Sequence, residues 1–249
     1  WTLGALQGDL GISLKRNKPI SGIVGIRLRN TLVLGLSATL IGVPIAIFLG
    51  IITGLWRDRP PDLWVSGIAI FAMTIPEFVS ATLLILVFSV WLGWFPGIVT
   101  TPPNAPLIEF LSDIILPIVA LALVMTAHIL RMVRTSVIDV LESDYIQMAR
   151  LKGVPYWRMV FRHVLPNALL PTINLVALTI AWLLGGVVVI EVVFNYPGLG
   201  RLTIDAISDR DLALVQAIAL LLATVYIGLN LFADLLTLIV NPRLRTMRN

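Results

Sequence analysis

Side chains that commonly do chemistry are scarce in this chain of 249 residues. Cysteine is absent, which excludes disulfides, iron–sulfur clusters and thiolate metal sites. His128 and His163 have no carboxylate at a helical ligand spacing, so neither predicts a zinc site. Asp205, Asp209 and Asp211 form a loose acidic group that is more typical of a solvated loop than of magnesium ligation. We therefore expect no metal site.

The composition is typical of a membrane protein. Hydrophobic residues make up 58% of the chain and charged residues 13%, and the mean hydropathy is +0.95. Soluble domains carry about 25% charged residues. The few charges are clustered, and the long uncharged stretches between them predict several membrane-spanning helices. The net charge of +4 fits membrane orientation better than nucleic-acid binding, because no basic stripe with interleaved aromatic residues is present.

Five segments are long and apolar enough to cross a hydrocarbon core of about 30 Å. Prolines in or beside these segments predict bends, above all at Thr74-Ile75-Pro76. In a bundle, polar groups of neighbouring helices can donate hydrogen bonds to the carbonyl groups that lose their helical partners at such bends. The predicted spans are residues 31–56, 63–92, 114–133, 164–190 and 212–240.

Polar and ionisable residues inside these spans are costly, so each is a functional hypothesis. Glu77 directly follows Pro76. Its carboxylate is expected either to line a polar path or to form hydrogen bonds with an adjacent helix. Asn174 and Trp182 in the fourth span are the other candidates for a translocation path. His128 is more typical of helix packing than of a proton relay.

Basic residues predict the orientation, since short cytoplasmic loops are enriched in Lys and Arg. With the C-terminus inside, eleven basic residues face the cytoplasm, six of them between Arg131 and Arg162, whereas Arg201 and Arg210 face outside. Five more lie ahead of the first span and oppose the rule, unless a further helix precedes Trp1 and they belong to a long translocated loop. These five are Lys15, Arg16, Lys18, Arg27 and Arg29.

One large polar stretch separates two of the spans, and we name residues 139–167 the polar loop. Residues 142–144 are typical of a helix start, and Gly153 is typical of a helix end. Pro155 suits the opening of a second short helix, so the loop is predicted to be helix, glycine turn, helix. Spacing alone leaves three interpretations open: a solvated connector, an interfacial helix that senses anionic lipid, or a lever that docks into a soluble partner.

The polar loop resembles a known family pattern. Gln147-Met148-Ala149, then Gly153, then His163-Val164-Leu165-Pro166 are similar to the EAA loop (E-A-A-x-x-x-G, nine residues, I-x-L-P) of permease subunits of bacterial ABC importers. The departures at Gln147, Met148 and His163 resemble the dipeptide, oligopeptide and nickel branch. Two later segments also resemble this branch, Pro197-Gly198-Leu199-Gly200 and Asp205-Ala206-Ile207. Near the chain start, three segments resemble the first of the two permeases in such systems: Gly8-Asp9-Leu10-Gly11, Arg27-Leu28 and Asn30-Thr31-Leu32.

This resemblance implies an all-α, polytopic transmembrane helix bundle of the type I ABC importer class, with five spans here and a sixth ahead of Trp1. It implies an extracytoplasmic segment at residues 1–27 and a transmembrane domain at residues 28–242 with a cytoplasmic coupling loop at 139–167. A cytoplasmic tail is implied at residues 243–249. The upstream helix would also remove the conflict with the positive-inside rule.

The family implies a permease subunit that forms half of the pathway of an ATP-driven, binding-protein-dependent importer of dipeptides or oligopeptides in the bacterial inner membrane. The phosphate-binding sequence G-x-x-x-x-G-K-[ST] is missing from the chain, so ATP and magnesium are expected in partner subunits and this chain is not expected to be an enzyme. The implied partners are a second homologous permease, two cytoplasmic ATP-binding subunits, an extracytoplasmic substrate-binding protein and membrane lipid, without nucleic acid.

The match also implies roles for individual residues. The outer mouth on the binding-protein side is expected at Glu191, Pro197, Gly198 and Gly200. ATPase docking is expected at Tyr145, Gln147, Ala149, Arg150, Lys152, Gly153, Leu165 and Pro166.

Two other classes of protein stay open from the residues alone. One is a proton-coupled secondary transporter that uses Glu77 or His128 as the proton carrier. The other is an intramembrane enzyme such as a prenyltransferase, built on the aspartates of residues 205–211, although a second, facing acidic motif is missing from the sequence.

Overall fold

The computed structural model describes Gly4 and residues 7–240. Within that range, the side chains of residues 107, 174, 175, 177, 180–186, 233, 234 and 236–240 are outside the description.

Helices dominate the described part of the chain, and a two-stranded hairpin precedes them. The hairpin pairs β1 (Ile12–Ser13) with β2 (Lys18–Pro19) in antiparallel register. The helices are α1 (Ile20–Leu55), α2 (Pro60–Thr74), α3 (Glu77–Leu84, continued by a π-helical turn at Ile85–Trp91), a 3₁₀ turn (Leu107–Phe110), α4 (Ile115–Glu142), α5 (Asp144–Leu151), α6 (Tyr156–Met159, continued by a π-helical turn at Val160–Val164), α7 (Leu165–Ala168), α8 (Leu170–Val193), α9 (Leu199–Ser208) and α10 (Leu212–Val240).

The predicted spans correspond to the long helices. By length and composition, α1, α4 and residues Leu212–Phe232 of α10 can each cross a membrane, and α2 and α3 pass that test only when taken together. The fourth predicted span corresponds to α8, which has 24 residues. With 36 residues, α1 is about 54 Å long, far more than a hydrocarbon core requires. Its start at Ile20 therefore precedes the predicted span.

The predicted break at Thr74-Ile75-Pro76 is present. Ile75 and Pro76 have extended backbone, which ends α2 and lets α3 begin at Glu77. Because Pro76 disfavours a helical residue before it, the chain leaves the helix at Ile75. Pro44, by contrast, lies inside the continuous helix α1.

The chain divides into two compact units. The first comprises residues 1–38, 76–121 and 181–228. Its apolar core joins the start of α1, α9 and the start of α10. The fully buried members of that core include Ile20, Leu199, Leu202, Ala217 and Ile218.

The second unit comprises residues 39–75, 122–180 and 229–249. Within it, the last turns of α1 pack against α4 through glycines. A Cβ atom placed on Gly50 would lie 2.6 Å from Val133 Cβ, and one on Gly54 would lie 2.7 Å from Val137 Cβ. Only glycine lets the two helix backbones approach this closely.

Candidate functional site

The polar loop folds as its sequence predicts. Ser143 has extended backbone at the N-cap of α5, although its hydroxyl donates to Val140 O instead of capping the helix. The chain leaves α5 at Gly153, whose φ of +74° lies in the left-handed region that favours glycine. Pro155 then sits at the N-cap of α6. The loop is thus two helical pieces joined by a tight glycine turn.

One face of the polar loop is anchored. Ile146 of α5 is fully buried, as are Met159, Val160 and Val164 of the second helical piece. The Ser136 hydroxyl of α4 donates a hydrogen bond of 2.7 Å to the carbonyl of Ala168, and this bond is buried. The polar loop is therefore anchored by its buried face within the second unit.

The opposite face of the polar loop is exposed, aromatic and basic. Trp157 is 59% exposed and Phe161 66%, and their rings stack with centroids 6.0 Å apart. Tyr156 makes an edge-on contact with Trp157 at 5.3 Å. Leu151, at 82%, is exposed as well. The exposed basic residues of this face are Arg150, Lys152, Arg158 and Arg162.

Most of the predicted docking residues lie on the exposed surface. Ala149 and Leu165 are half-buried. Gln147 donates from its side-chain amide to Glu142 O at 3.0 Å. A Cβ atom on Gly153 would meet nothing within 4 Å, so the space beside this turn is open. The exposed members are Tyr145, Gln147, Arg150, Lys152, Gly153 and Pro166.

The aromatic residues of this face are missing from the set inferred from the sequence. Tyr156 and Trp157 precede the buried pair Met159 and Val160, and Phe161 follows that pair. The available signal was their residue type, since three aromatic residues lie within the six positions 156–161 of a polar loop.

Two ion pairs connect α4 to the chain just after α1: one reaches the first turn of α2, and the other reaches the connection between α1 and α2. Arg134 forms a two-pronged hydrogen bond with Asp62, with Nε donating to Oδ1 at 2.6 Å and Nη2 to Oδ2 at 2.7 Å. Arg57 pairs with Glu142, the last residue of α4. No sequence motif links these positions, so sequence reasoning missed both pairs.

The four residues predicted at the outer mouth belong to one buried group. We name this group the Glu191 cluster, and it comprises Thr31, Glu191 and residues 196–200. The Thr31 hydroxyl donates to Glu191 Oε1 at 2.6 Å and accepts from the backbone N–H of Leu199 at 2.8 Å. The backbone N–H of Arg201 donates to Glu191 Oε2 at 3.0 Å. The carboxylate therefore ties α1 to the first turn of α9.

Further hydrogen bonds close the Glu191 cluster. The amide of Asn30 donates to Pro197 O at 3.0 Å, and the Tyr196 hydroxyl donates to Asn30 O at 2.8 Å. Burial raises the pKa of the Tyr196 phenol, so this hydroxyl stays a neutral donor. Gly198 is needed because a Cβ atom there would collide with the Glu191 carboxylate. All of these residues are buried in the structure.

Of the three predicted translocation-path residues, Glu77 has a described side chain. Glu77 is half-buried in the first turn of α3. The side chains of Asn174 and Trp182 lie outside the described residues. His128 is exposed on α4. Their role stays a prediction.

The aspartates near residue 205 take part in contacts within the protein. Asp211 accepts a hydrogen bond from the buried Ser13 hydroxyl, and Asp209 pairs with Arg16 at 3.7 Å. Burial opposes ionisation of Asp211, but hydrogen bonds from Ser13 and from backbone N–H groups outweigh it and lower the pKa of the carboxyl. Among the described residues, no group of three His, Cys, Asp or Glu side chains is arranged to hold a metal ion.

Long apolar helices, an interrupted span and an anchored polar loop define a multi-span membrane protein. The family described as "Binding-protein-dependent transport system inner membrane component" matches residues 46–246, and the chain belongs to it. It is therefore a multi-pass inner-membrane permease component of an ABC importer and not a catalytic enzyme. The resemblance inferred from the EAA-like sequence is confirmed.

Two relatives cover nearly the whole chain. The chain is 38% identical over 241 residues to the glutathione transport system permease protein GsiC of Escherichia coli O6:H1 (strain CFT073), covering 97% of this chain and 76% of that protein. It is 36% identical over 245 residues to a permease protein assigned to a peptide transport system of Brucella abortus (strain 2308), and the match covers 98% of this chain and 78% of that protein.

Solved structures confirm the all-α polytopic fold. One is a crystal structure of an amino acid ABC transporter with histidines, with a TM-score of 0.68 at 17% identity and coverage of 87% of this chain and 94% of that chain. Another is the MetNI methionine ABC transporter in an inward-facing conformation, with a TM-score of 0.66 at 21% identity and coverage of 88% and 94%. At these identities the likeness shows the fold alone.

Proposed function

We propose that this chain is the first of two homologous permease subunits of an ATP-driven importer and that the exposed face of its polar loop docks a cytoplasmic ATPase subunit. The observation that carries the proposal is the two-sided loop. One face is anchored by Ile146, Met159 and Val164, and the other exposes a stacked aromatic pair beside four basic residues. Such a rigid, exposed element suits a docking lever.

The chemistry of this face defines the partner surface. Trp157 and Phe161 offer a large apolar contact of the kind that anchors interfaces. Arg150, Lys152 and Arg158 of the same loop are also exposed and add positive charge to its surface. We therefore expect the ATPase subunit to present an apolar groove with an acidic rim. The docking must differ between the ATP-bound and ATP-free states, because a surface that binds equally well in both shifts no equilibrium.

We assign dipeptides or oligopeptides as the transported substrate. Support comes from the two relatives, whose systems are described as transporting glutathione and peptides. Glu77, Asn174 and Trp182 remain the candidates for the path, and the Glu191 cluster for the side that receives substrate from an extracytoplasmic binding protein.

The orientation follows from the same assignment. The polar loop and the C-terminus face the cytoplasm, because the basic residues 131–162 and 243–248 belong on the inner side of the membrane. ATP and magnesium bind to the two partner ATPase subunits, and this chain holds no cofactor of its own.

The test is co-purification followed by reconstitution. The chain, its partner permease and the two ATPase subunits are co-expressed, purified through a tag on this chain, and placed in proteoliposomes with the binding protein and labelled di- or tripeptides, including glutathione. We expect uptake that requires ATP and the binding protein and that persists when an ionophore removes the proton gradient. Uptake driven by a proton gradient without ATPase subunits would contradict the proposal and favour the Glu77 or His128 alternative.

Variants of the aromatic pair locate the docking surface. Trp157→Ala is expected to weaken ATPase binding about thirtyfold, and so to reduce the co-purified ATPase, since aromatic anchors contribute about 2 kcal/mol to an interface. Trp91→Ala is the matched control, because Trp91 is 71% exposed and lies outside the polar loop. Equal ATPase recovery from both variants would show that the polar loop is not the docking surface.

A further inference from the structure

Asp62 is an unusual carboxylate for its position. Its side chain is 1% exposed although it lies in the first turn of α2, directly after two prolines. Both carboxylate oxygens are occupied by the guanidinium of Arg134. The backbone N–H of Asp58 donates to Oδ2 at 2.9 Å, and the Ser66 hydroxyl donates to Oδ1 at 2.8 Å. Four donors converge on one buried acid.

The partner of Asp62 lies on the helix that leads into the polar loop. Arg134 belongs to α4, which continues without a break to Glu142 and is followed at once by Ser143 and α5. An α-helix between Arg134 and Glu142 is stiff, so a displacement of the polar loop moves the guanidinium as well. The two-pronged geometry fixes the orientation of the carboxylate and not only its distance.

Other contacts join α4 mainly to α1. Gly50 and Gly54 bring α1 against α4 at Val133 and Val137. Arg57 pairs with Glu142 just after α1. The contact from Arg131 Nη1 to Met73 Sδ, at 3.7 Å, is long and weak. Asp62 therefore makes a strong, charged connection from α4 to α2.

We infer that Asp62 and Arg134 are positioning residues that carry the motion of the polar loop into α2, the helix that ends at the Ile75–Pro76 break ahead of Glu77. The inference rests on the proposed docking of an ATPase to the polar loop. A carboxylate that is buried and bound by four donors cannot slide past its partner, so α2 follows α4 when the loop is pulled. Transport then depends on the pair even when ATP hydrolysis does not.

The experiment separates coupling from folding. Asp62→Asn and Arg134→Lys are introduced into the complete transporter with both permeases, both ATPase subunits and the binding protein. Membrane level, subunit recovery, ATP hydrolysis and labelled peptide uptake are measured on the same proteoliposomes. Arg131→Gln is the matched control, since it removes a positive charge one turn away on α4 without breaking the pair. The exchange variant Asp62→Arg with Arg134→Asp tests whether the pair itself is required.

We expect Asp62→Asn and Arg134→Lys to assemble, to keep ATP hydrolysis, and to lose uptake per ATP by about tenfold, a coupling effect of ordinary size. The exchange variant should regain part of this loss, and Arg131→Gln should match the unaltered protein. Unchanged uptake per ATP in assembled variants would overturn the inference. Failure of both single variants to assemble would also overturn it, since the pair would then serve folding alone.

The proposed function can fail independently. If the unaltered chain shows no uptake that depends on ATPase subunits, the docking proposal fails before any variant is compared. If the unaltered transporter is coupled and the Asp62 and Arg134 variants behave like it, only the inference about the pair fails.

Discussion

The hydroxyl of Ser13 donates a buried hydrogen bond to the carboxylate of Asp211, across 198 positions of the chain. Ser13 ends strand β1, and Asp211 directly precedes α10. The same carboxylate accepts from the backbone N–H of Leu214 at 3.3 Å and from that of Lys15 at 3.4 Å. This single acid therefore both caps α10 and fastens the hairpin to it.

Replacing Ser13 should weaken this connection. Ser13→Ala leaves a buried carboxylate oxygen without its side-chain donor, and we expect a loss of about 1–3 kcal/mol in the free energy of unfolding. Thermal unfolding of the purified protein in detergent measures the effect. Thr224→Ala is the control, because the Thr224 hydroxyl bonds only to Leu220 O within its own helix and is exposed. Equal melting temperatures for the two variants would contradict the assignment.

The same site predicts a pH dependence. The folded protein lowers the pKa of Asp211 from its ordinary value of 3.8, so the ionised form favours folding. The stabilisation is fully present above about pH 4 and is lost as the pH falls through the lower pKa of the folded state. The stability difference between the unaltered protein and Asp211→Asn should therefore be constant near pH 7 and shrink below about pH 4. A stability difference that grows on acidification would contradict the prediction that the ionised form of Asp211 favours folding.

Gly198→Ala should be strongly destabilising. The new Cβ atom would collide with the Glu191 carboxylate, which Thr31 and the Arg201 backbone hold in a buried position. The carboxylate can move only by breaking these bonds, so we expect a cost of about 1–3 kcal/mol or more. Gly67→Ala is the control, since a Cβ atom there meets nothing within 4 Å and alanine favours the helix α2. In urea or thermal unfolding, Gly198→Ala should be less stable than the unaltered protein, and Gly67→Ala should be slightly more stable.

The glycines of α1 allow a second matched comparison. A Cβ atom on Gly50 would lie 2.8 Å from the backbone oxygen of Leu130, which cannot move without shifting α4. A Cβ atom on Gly35 in the same helix meets nothing within 4 Å. Gly50→Ala should lower the free energy of unfolding by about 1–3 kcal/mol, and Gly35→Ala should be neutral or stabilising by up to about 1 kcal/mol. Equal effects at the two positions would mean that α1 and α4 do not pack this closely.

Local structure was predictable where short-range signals agree. Residues 142–144, Gly153 and Pro155 mark two helix starts and a turn within residues 142–155, and the structure has each feature where the sequence predicts it. The long apolar spans were equally clear, because a membrane core fixes the length of helix that it needs.

Pairings between distant residues were not predictable. Asp62 and Arg134 are 72 positions apart, and Thr31 and Glu191 are 160 apart. Which charged residues meet depends on which helices are neighbours, and a single sequence contains no record of that. The helix α1 also begins at Ile20, ahead of the predicted span at residue 31, since Arg27 and Arg29 interrupt the apolar run but not the helix.

Gly153 provides the last prediction, on the polar loop itself. Its φ of +74° strains any residue with a side chain, by about 1–2 kcal/mol for most and least for asparagine, and the space beside it is open within this chain. Gly153→Asn should therefore keep the turn, with a melting temperature close to that of the unaltered protein. Gly153→Glu adds strain and a negative charge to a basic face that is proposed to meet an acidic rim. We expect the Gly153→Glu variant to reach the membrane but to lose ATPase recovery and uptake. For both measurements, Gly153→Asn should fall between Gly153→Glu and the unaltered protein. Normal uptake by a normally assembled Gly153→Glu variant would contradict docking at this turn.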